Sequence, residues 1–129
     1  MSTKLDINVF NAQVMKELAD ANEKFPPVSS DHEGYAVLLE EFEELVREIQ
    51  MAKSQLSYAW NYTRKGNSLE LQKELIKMRT HLRKGYKELV QTAAMVEKWL
   101  DRYRPDPGQK KIKSFDDISK FELCKEDRE

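Results

Sequence analysis

The sequence predicts an all-α fold, a helical bundle around a long antiparallel helix hairpin. Apolar residues recur at three- and four-residue steps through most of the chain. Charged residues make up 35% of it with both signs interspersed, and its four glycines and four prolines mostly cluster at a few points. Residues suited to capping stand at the head of each periodic run.

The first run, Leu5 to Lys24, carries Ile7, Phe10, Val14, Leu18 and Ala21 on one face, with Asp6 as its cap. Phe25-Pro26-Pro27 ends it, because proline cannot continue the hydrogen-bond ladder and restricts the residue before it. The second helix starts at a capping box, Ser30 with Glu33, and runs through Leu38, Phe42, Leu45, Ile49, Ala52 and Leu56, past Trp60 to about Arg64. Gly66 is its natural stop. Asn67 and Glu70 form a second capping box. The third helix then covers Ser68 to Arg104 with a stripe of Leu75, Met78, Leu82, Tyr86, Leu89, Ala93, Val96, Leu100 and Tyr103. Gly85, inside it, marks a kink or a close backbone approach. Pro105-Asp106-Pro107-Gly108 closes the helical domain, 1–104. A basic linker and a short amphipathic tail with Phe115, Ile118 and Phe121 on one face make up 105–129.

The second and third helices are about 35 residues each, or about 50 Å. Joined by a short turn they form a hairpin that the first helix is too short to cover. The uncovered apolar length asks for a homodimer or higher homo-oligomer.

The totals exclude several classes. The 129 residues amount to one domain. A net charge of −1 gives no reason to expect nucleic acid as a partner. The single cysteine, Cys124, rules out an intrachain disulfide framework and fits a reducing compartment. There is no signal-peptide h-region and no apolar run of membrane-spanning length, so a cytoplasmic protein without a membrane partner is expected.

The densest chemical feature is Glu40-Glu41-Phe42-Glu43-Glu44-Leu45-Val46-Arg47-Glu48. A charge run of this kind is ordinarily a solvated face. Helical geometry separates its members. At about 100° per residue, Glu40, Glu43 and Arg47 fall opposite the Leu38 stripe, whereas Glu41, Glu44 and Glu48 form one row on its flank. Carboxylates one turn apart at the edge of a core repel, and a hard cation such as Mg²⁺ relieves that repulsion. On the third helix His81, Gly85, Glu88, Thr92, Met95 and Trp99 form the comparable row, with Gln91 three residues after Glu88. In an antiparallel hairpin the two rows can meet, bringing Glu41, Glu44, Glu48 and Glu88 to one pocket.

The segment Phe25 to Leu45 (FPPVSSDHEGYAVLLEEFEEL) resembles the opening of MazG-like proteins of bacteria and phages, members of the all-α nucleoside triphosphate pyrophosphohydrolase superfamily. Glu88 to Val96 (ELVQTAAMV) is similar to the second motif helix of that group. The family pattern is Glu-x-x-Glu on one helix and Glu-x-x-Asp on the next. Glu41, Glu44 and Glu88 match it; Gln91 stands where the family has Asp, and the interval from Glu44 to Glu88 is longer than usual. The resemblance implies Mg²⁺-dependent hydrolysis of a nucleoside triphosphate to monophosphate and pyrophosphate. Glu41, Glu44, Glu88 and Gln91 would hold the metal, and Glu48 would complete the cluster or orient the attacking water. Lys84 or Lys87 is a candidate for phosphate contact, although each reads first as an ordinary surface lysine. A non-catalytic helical interaction module that keeps the fold is the competing expectation. Glu33 reads as a capping residue, His32 and His81 as surface or packing residues, and Tyr58, Trp60, Tyr62, Met95 and Trp99 as core, interface or pocket-wall side chains.

Overall fold

A computed structural model describes residues 5–104. The expected linker and tail, 105–129, lie outside the described residues. The described chain is all-helical: α1 spans Ile7–Lys24, α2 Asp31–Lys65 and α3 Ser68–Leu100, followed by a 3₁₀ turn at Asp101–Tyr103. None of these helices is long and apolar enough to cross a membrane.

The helix ends follow from the local sequence. Asp6 caps α1 by accepting from the Asn8 N–H at 3.0 Å. Ser30 Oγ accepts from the Glu33 N–H at 3.1 Å, but the Glu33 carboxylate takes the Ser29 hydroxyl instead of closing the box. Asn67 Oδ1 likewise accepts from the Glu70 N–H, while the Glu70 carboxylate pairs with Lys73. Gly66 ends α2 at φ +69°, the left-handed conformation that glycine adopts without a Cβ penalty. The third helix stops at Leu100, earlier than expected. Arg104 folds back there, its guanidinium bonding Glu97 at 2.5 Å and Asp101 at 2.6 Å.

α2 and α3 form an antiparallel hairpin. Going up α2, Gly34 faces Trp99, Glu41 faces Thr92, and Glu48 faces both Gly85 and His81. α1 runs parallel to α3 on its outer side. Its Phe10 ring meets Tyr86 edge-on at 6.4 Å, Gln13 accepts from the Tyr86 hydroxyl, and Asn22 accepts from Lys98 at 2.8 Å. Val14, Leu18, Val90 and Ala94 make the small core between these two helices.

The hairpin seam corrects the sequence reading. Of the Leu38–Phe42–Leu45–Ile49–Ala52–Leu56 stripe only Ala52 is buried; Phe42, Ile49 and Leu56 are more than half exposed. The Leu75–Leu82–Tyr86–Leu89 stripe of α3 is also exposed. Buried along the seam with Ala52 are Gly34, Gln55 and Ala59 of α2 and Glu74, Gly85 and Thr92 of α3. Small side chains let two backbones approach closely, and here the row carrying them outweighs the row carrying leucine. A Cβ on Gly85 would lie 3.7 Å from Glu48 Cβ. The carboxylate row assigned to the flank is therefore part of the seam itself.

Candidate metal centre

Three of the expected ligands converge. Glu41, Glu44 and Glu88 each offer a carboxylate oxygen, and these oxygens lie within 4.8 Å of one another. All three side chains are half-buried. Glu41 and Glu44 share a face because they are three residues apart on one helix. Glu88 reaches them across the seam. Thr92 ties the two helices at this level, its Oγ1 lying 2.7 Å from the Glu88 carbonyl oxygen and 3.2 Å from that of Glu41. Glu41 Oε2 and Glu88 Oε2 are buried without a hydrogen-bond partner. Such oxygens are costly to leave unmet.

The electrostatics agree with the crowding. Burial pushes the Glu41 carboxyl above its ordinary value, and the charges of Glu44, Glu88, Glu40 and Glu17 add to that. Burial also raises Glu88, reinforced by a hydrogen bond and repulsion from Glu44 and by Glu48; Lys87 acts in the opposite direction.

Glu48 and Gln91 sit differently from Glu41, Glu44 and Glu88. Glu48 lies one turn beyond Glu44, outside the convergent trio, and its Oε1 is 2.8 Å from His81 Nδ1. His81 is thus a partner of the acidic row, a role its isolated position in the sequence did not disclose, although it shares a helical row with Glu88. Gln91 is half-buried and lines a cleft of about 480 Å³ that Glu41 also lines. That volume suits a small-molecule site. Its apolar wall includes Phe25, Val28, Val37 and Met95, and its cations are Lys24 and Lys98. Lys98 is buried, and its ammonium donates to Asn22 Oδ1 at 2.8 Å and approaches the Phe25 carbonyl at 3.5 Å. Sequence reasoning missed Lys98, because a lysine among surface lysines gives no periodic signal. Lys84 and Lys87 are exposed, as are His32, Tyr58 and Trp60.

No protein-family model, curated protein or solved structure matches this chain.

The raised carboxyls set a pH dependence. A carboxyl whose pKa is higher folded than unfolded binds more protons in the folded state. Its stabilising contribution is full in acid and is lost as pH rises from the ordinary glutamate range through the raised value. Asp31 works the other way: hydrogen bonds from Trp99 and Tyr103 hold it low, so its contribution is lost only as pH falls below the usual aspartate range. The metal-free chain should therefore melt higher at about pH 5 than at about pH 7.5, with the difference reduced in Glu88→Gln. Thermal melts in a chelator check this; an identical pH slope in the variant would remove Glu88 from the account.

Proposed function

We propose that the chain is a Mg²⁺-dependent hydrolase that splits a nucleoside triphosphate into monophosphate and pyrophosphate, or a diverged relative of such enzymes, of the MazG-like kind. The observation that carries this reading is the carboxylate trio with two buried, unpartnered oxygens. The donor set is all oxygen and strongly anionic, which suits a hard divalent cation. Glu41, Glu44 and Glu88 would hold the metal, which when bound neutralises charge on the phosphoryl oxygens.

The chain's own residues supply the rest. His81 orients the Glu48 carboxylate, the group next in the row, for activating or positioning water. The adjoining cleft offers Lys98 as a fixed cation toward phosphate and an apolar wall of Val37 and Met95 for the remainder of the ligand.

Gln91 favours a second reading, a non-catalytic helical module, because a neutral amide is a weaker Mg²⁺ ligand than the aspartate of the family pattern. Calorimetry with Mg²⁺ and a panel of nucleotides, followed by a pyrophosphate assay, separates the two. Metal-dependent nucleotide binding with pyrophosphate release supports the enzyme. Binding without release leaves the diverged relative, and an absence of Mg²⁺ binding ends the metal-centre reading.

Gln91→Asp is a sharper probe. The residue is three positions after Glu88 and faces the cleft beside Glu41. A charged oxygen there should tighten Mg²⁺ binding by about tenfold, the effect of one more anionic ligand. Unchanged affinity would place position 91 outside the coordination sphere.

A further inference from the structure

Leu75, Leu82, Leu89 and Val96 stand seven residues apart on α3, so they form one stripe, and all four are exposed. At the Val96 end the stripe runs into a shallow cavity bordered by Leu38, Val96, Trp99, Leu100 and Tyr103. At the Leu75 end lies a groove of about 480 Å³, lined from α3 alone by Leu75, Met78, Arg79, Leu82, Arg83 and Tyr86. Its floor is apolar and its only charges are the two arginines. Both are exposed, and neither forms an ion pair among the described residues. Two guanidinium groups beside an apolar floor suit a segment that carries apolar side chains and carboxylates together.

The described chain ends beside the same stripe. Tyr103 borders the cavity at the Val96 end, and the Arg104 guanidinium, held by Glu97 and Asp101, fixes the point from which residues 105–129 continue. Those residues contain one segment of the matching chemistry. Phe115, Ile118 and Phe121 recur at three-residue steps among Asp116, Asp117 and Glu122, and Lys120 is the one base between Ser114 and Leu123. The length also suffices. Phe115 is eleven residues past Arg104, a reach of at most about 36 Å. Tyr86, the near edge of the groove, is eighteen residues back along the helical chain, about 27 Å away.

We propose that the Arg79–Arg83 groove of α3 is the docking site of the chain's own segment 114–123, its phenylalanines and isoleucine on the Leu75–Leu82 floor and its carboxylates at the two arginines. Charge selects this segment over the other end of the chain. Residues 1–5 carry Lys4 and no acid, and would repel the arginines. Tethering selects it over a separate partner: a short linker holds the segment near the groove at about millimolar effective concentration, so a weak contact is enough. Docking there covers the part of the α3 stripe that lies beyond α1, which meets α3 at Tyr86 through Phe10 and Gln13. The inference does not rest on the metal-centre reading.

The single cysteine, Cys124, three residues past Phe121, takes a nitroxide label in the full chain. In nuclear magnetic resonance spectra the amides of Leu75 to Arg83 should then lose signal, while those of Val28 to Tyr35, nearer the chain exit, keep theirs. Arg79→Glu with Arg83→Glu should cancel the loss, and adding Asp116→Arg with Asp117→Arg should bring it back. Ile118→Asp with Phe121→Asp should also cancel it; these positions lie outside the three helices, so this variant tests the proposal even if the arginine variants fail to fold. Nitroxide-labelled chain without isotope, mixed with isotope-labelled Cys124→Ser chain, should leave the groove signals intact. Loss of signal in that mixture makes a second copy the occupant and overturns the proposal. A groove unaffected by the label in its own chain, or a loss that survives Ile118→Asp with Phe121→Asp, overturns it as well.

Discussion

Glu88→Gln should abolish most of the rise in melting temperature that Mg²⁺ produces, while making the metal-free chain slightly more stable. Glu88 is the one member of the trio that comes from α3, so its loss leaves two carboxylates on a single helix. Removing a charged ligand should weaken Mg²⁺ binding by at least about tenfold. The opposite sign without metal follows from the crowding. Burial and Glu44 push the Glu88 carboxyl up, so its charged form is unfavourable where it stands. An amide keeps the shape, can donate to Glu44, and carries no charge. Glu41→Gln and Glu44→Gln should behave alike, without unfolding the protein. If Mg²⁺ raises the melting temperature of all three variants as much as that of the wild type, the site lies elsewhere.

Gly34→Ala should destabilise the chain by about 1–2 kcal/mol, the cost of overpacking exceeding the gain in helix propensity. A Cβ at this position would lie 2.6 Å from two Trp99 ring atoms and 2.7 Å from a third. These atoms are at the base of the indole, so no small rotation clears them. The ring is also held in place: Trp99 Nε1 donates to Asp31 at 2.9 Å, and Arg102 and Tyr103 bond the same carboxylate. Moving the indole therefore loosens the clasp between the start of α2 and the end of α3. Alanine is worth about 1 kcal/mol over glycine inside a helix, and the clash is expected to cost about 2–3 kcal/mol. The midpoint of thermal unfolding should fall by about 5–15 °C for a domain of this size. An unchanged or higher midpoint would mean that the Trp99 ring is free to move.

Helix boundaries and the acidic row were legible in the sequence because they depend on neighbours a few residues apart. Asp6, Ser30 and Asn67 cap the helices they precede, and Gly66 takes the left-handed turn, since a cap needs only the orphan N–H groups of its own first turn. Glu41 and Glu44 share a face for the same reason, the fixed rotation per residue. The partnership with Glu88 was readable as an expectation once two similar rows were seen on neighbouring helices.

Which row became the seam was decided only in three dimensions. Periodicity reveals which side of a helix avoids water, not which neighbour covers it. The leucine stripes carry the stronger hydrophobic signal, yet α2 and α3 meet along Gly34, Ala52, Ala59 and Gly85, where small side chains permit close approach. That choice draws Glu41, Glu44 and Glu88 together, brings His81 to Glu48, and leaves the leucines open. It depends on the fit of two surfaces distant in the chain, and a pattern within one helix does not contain that fit.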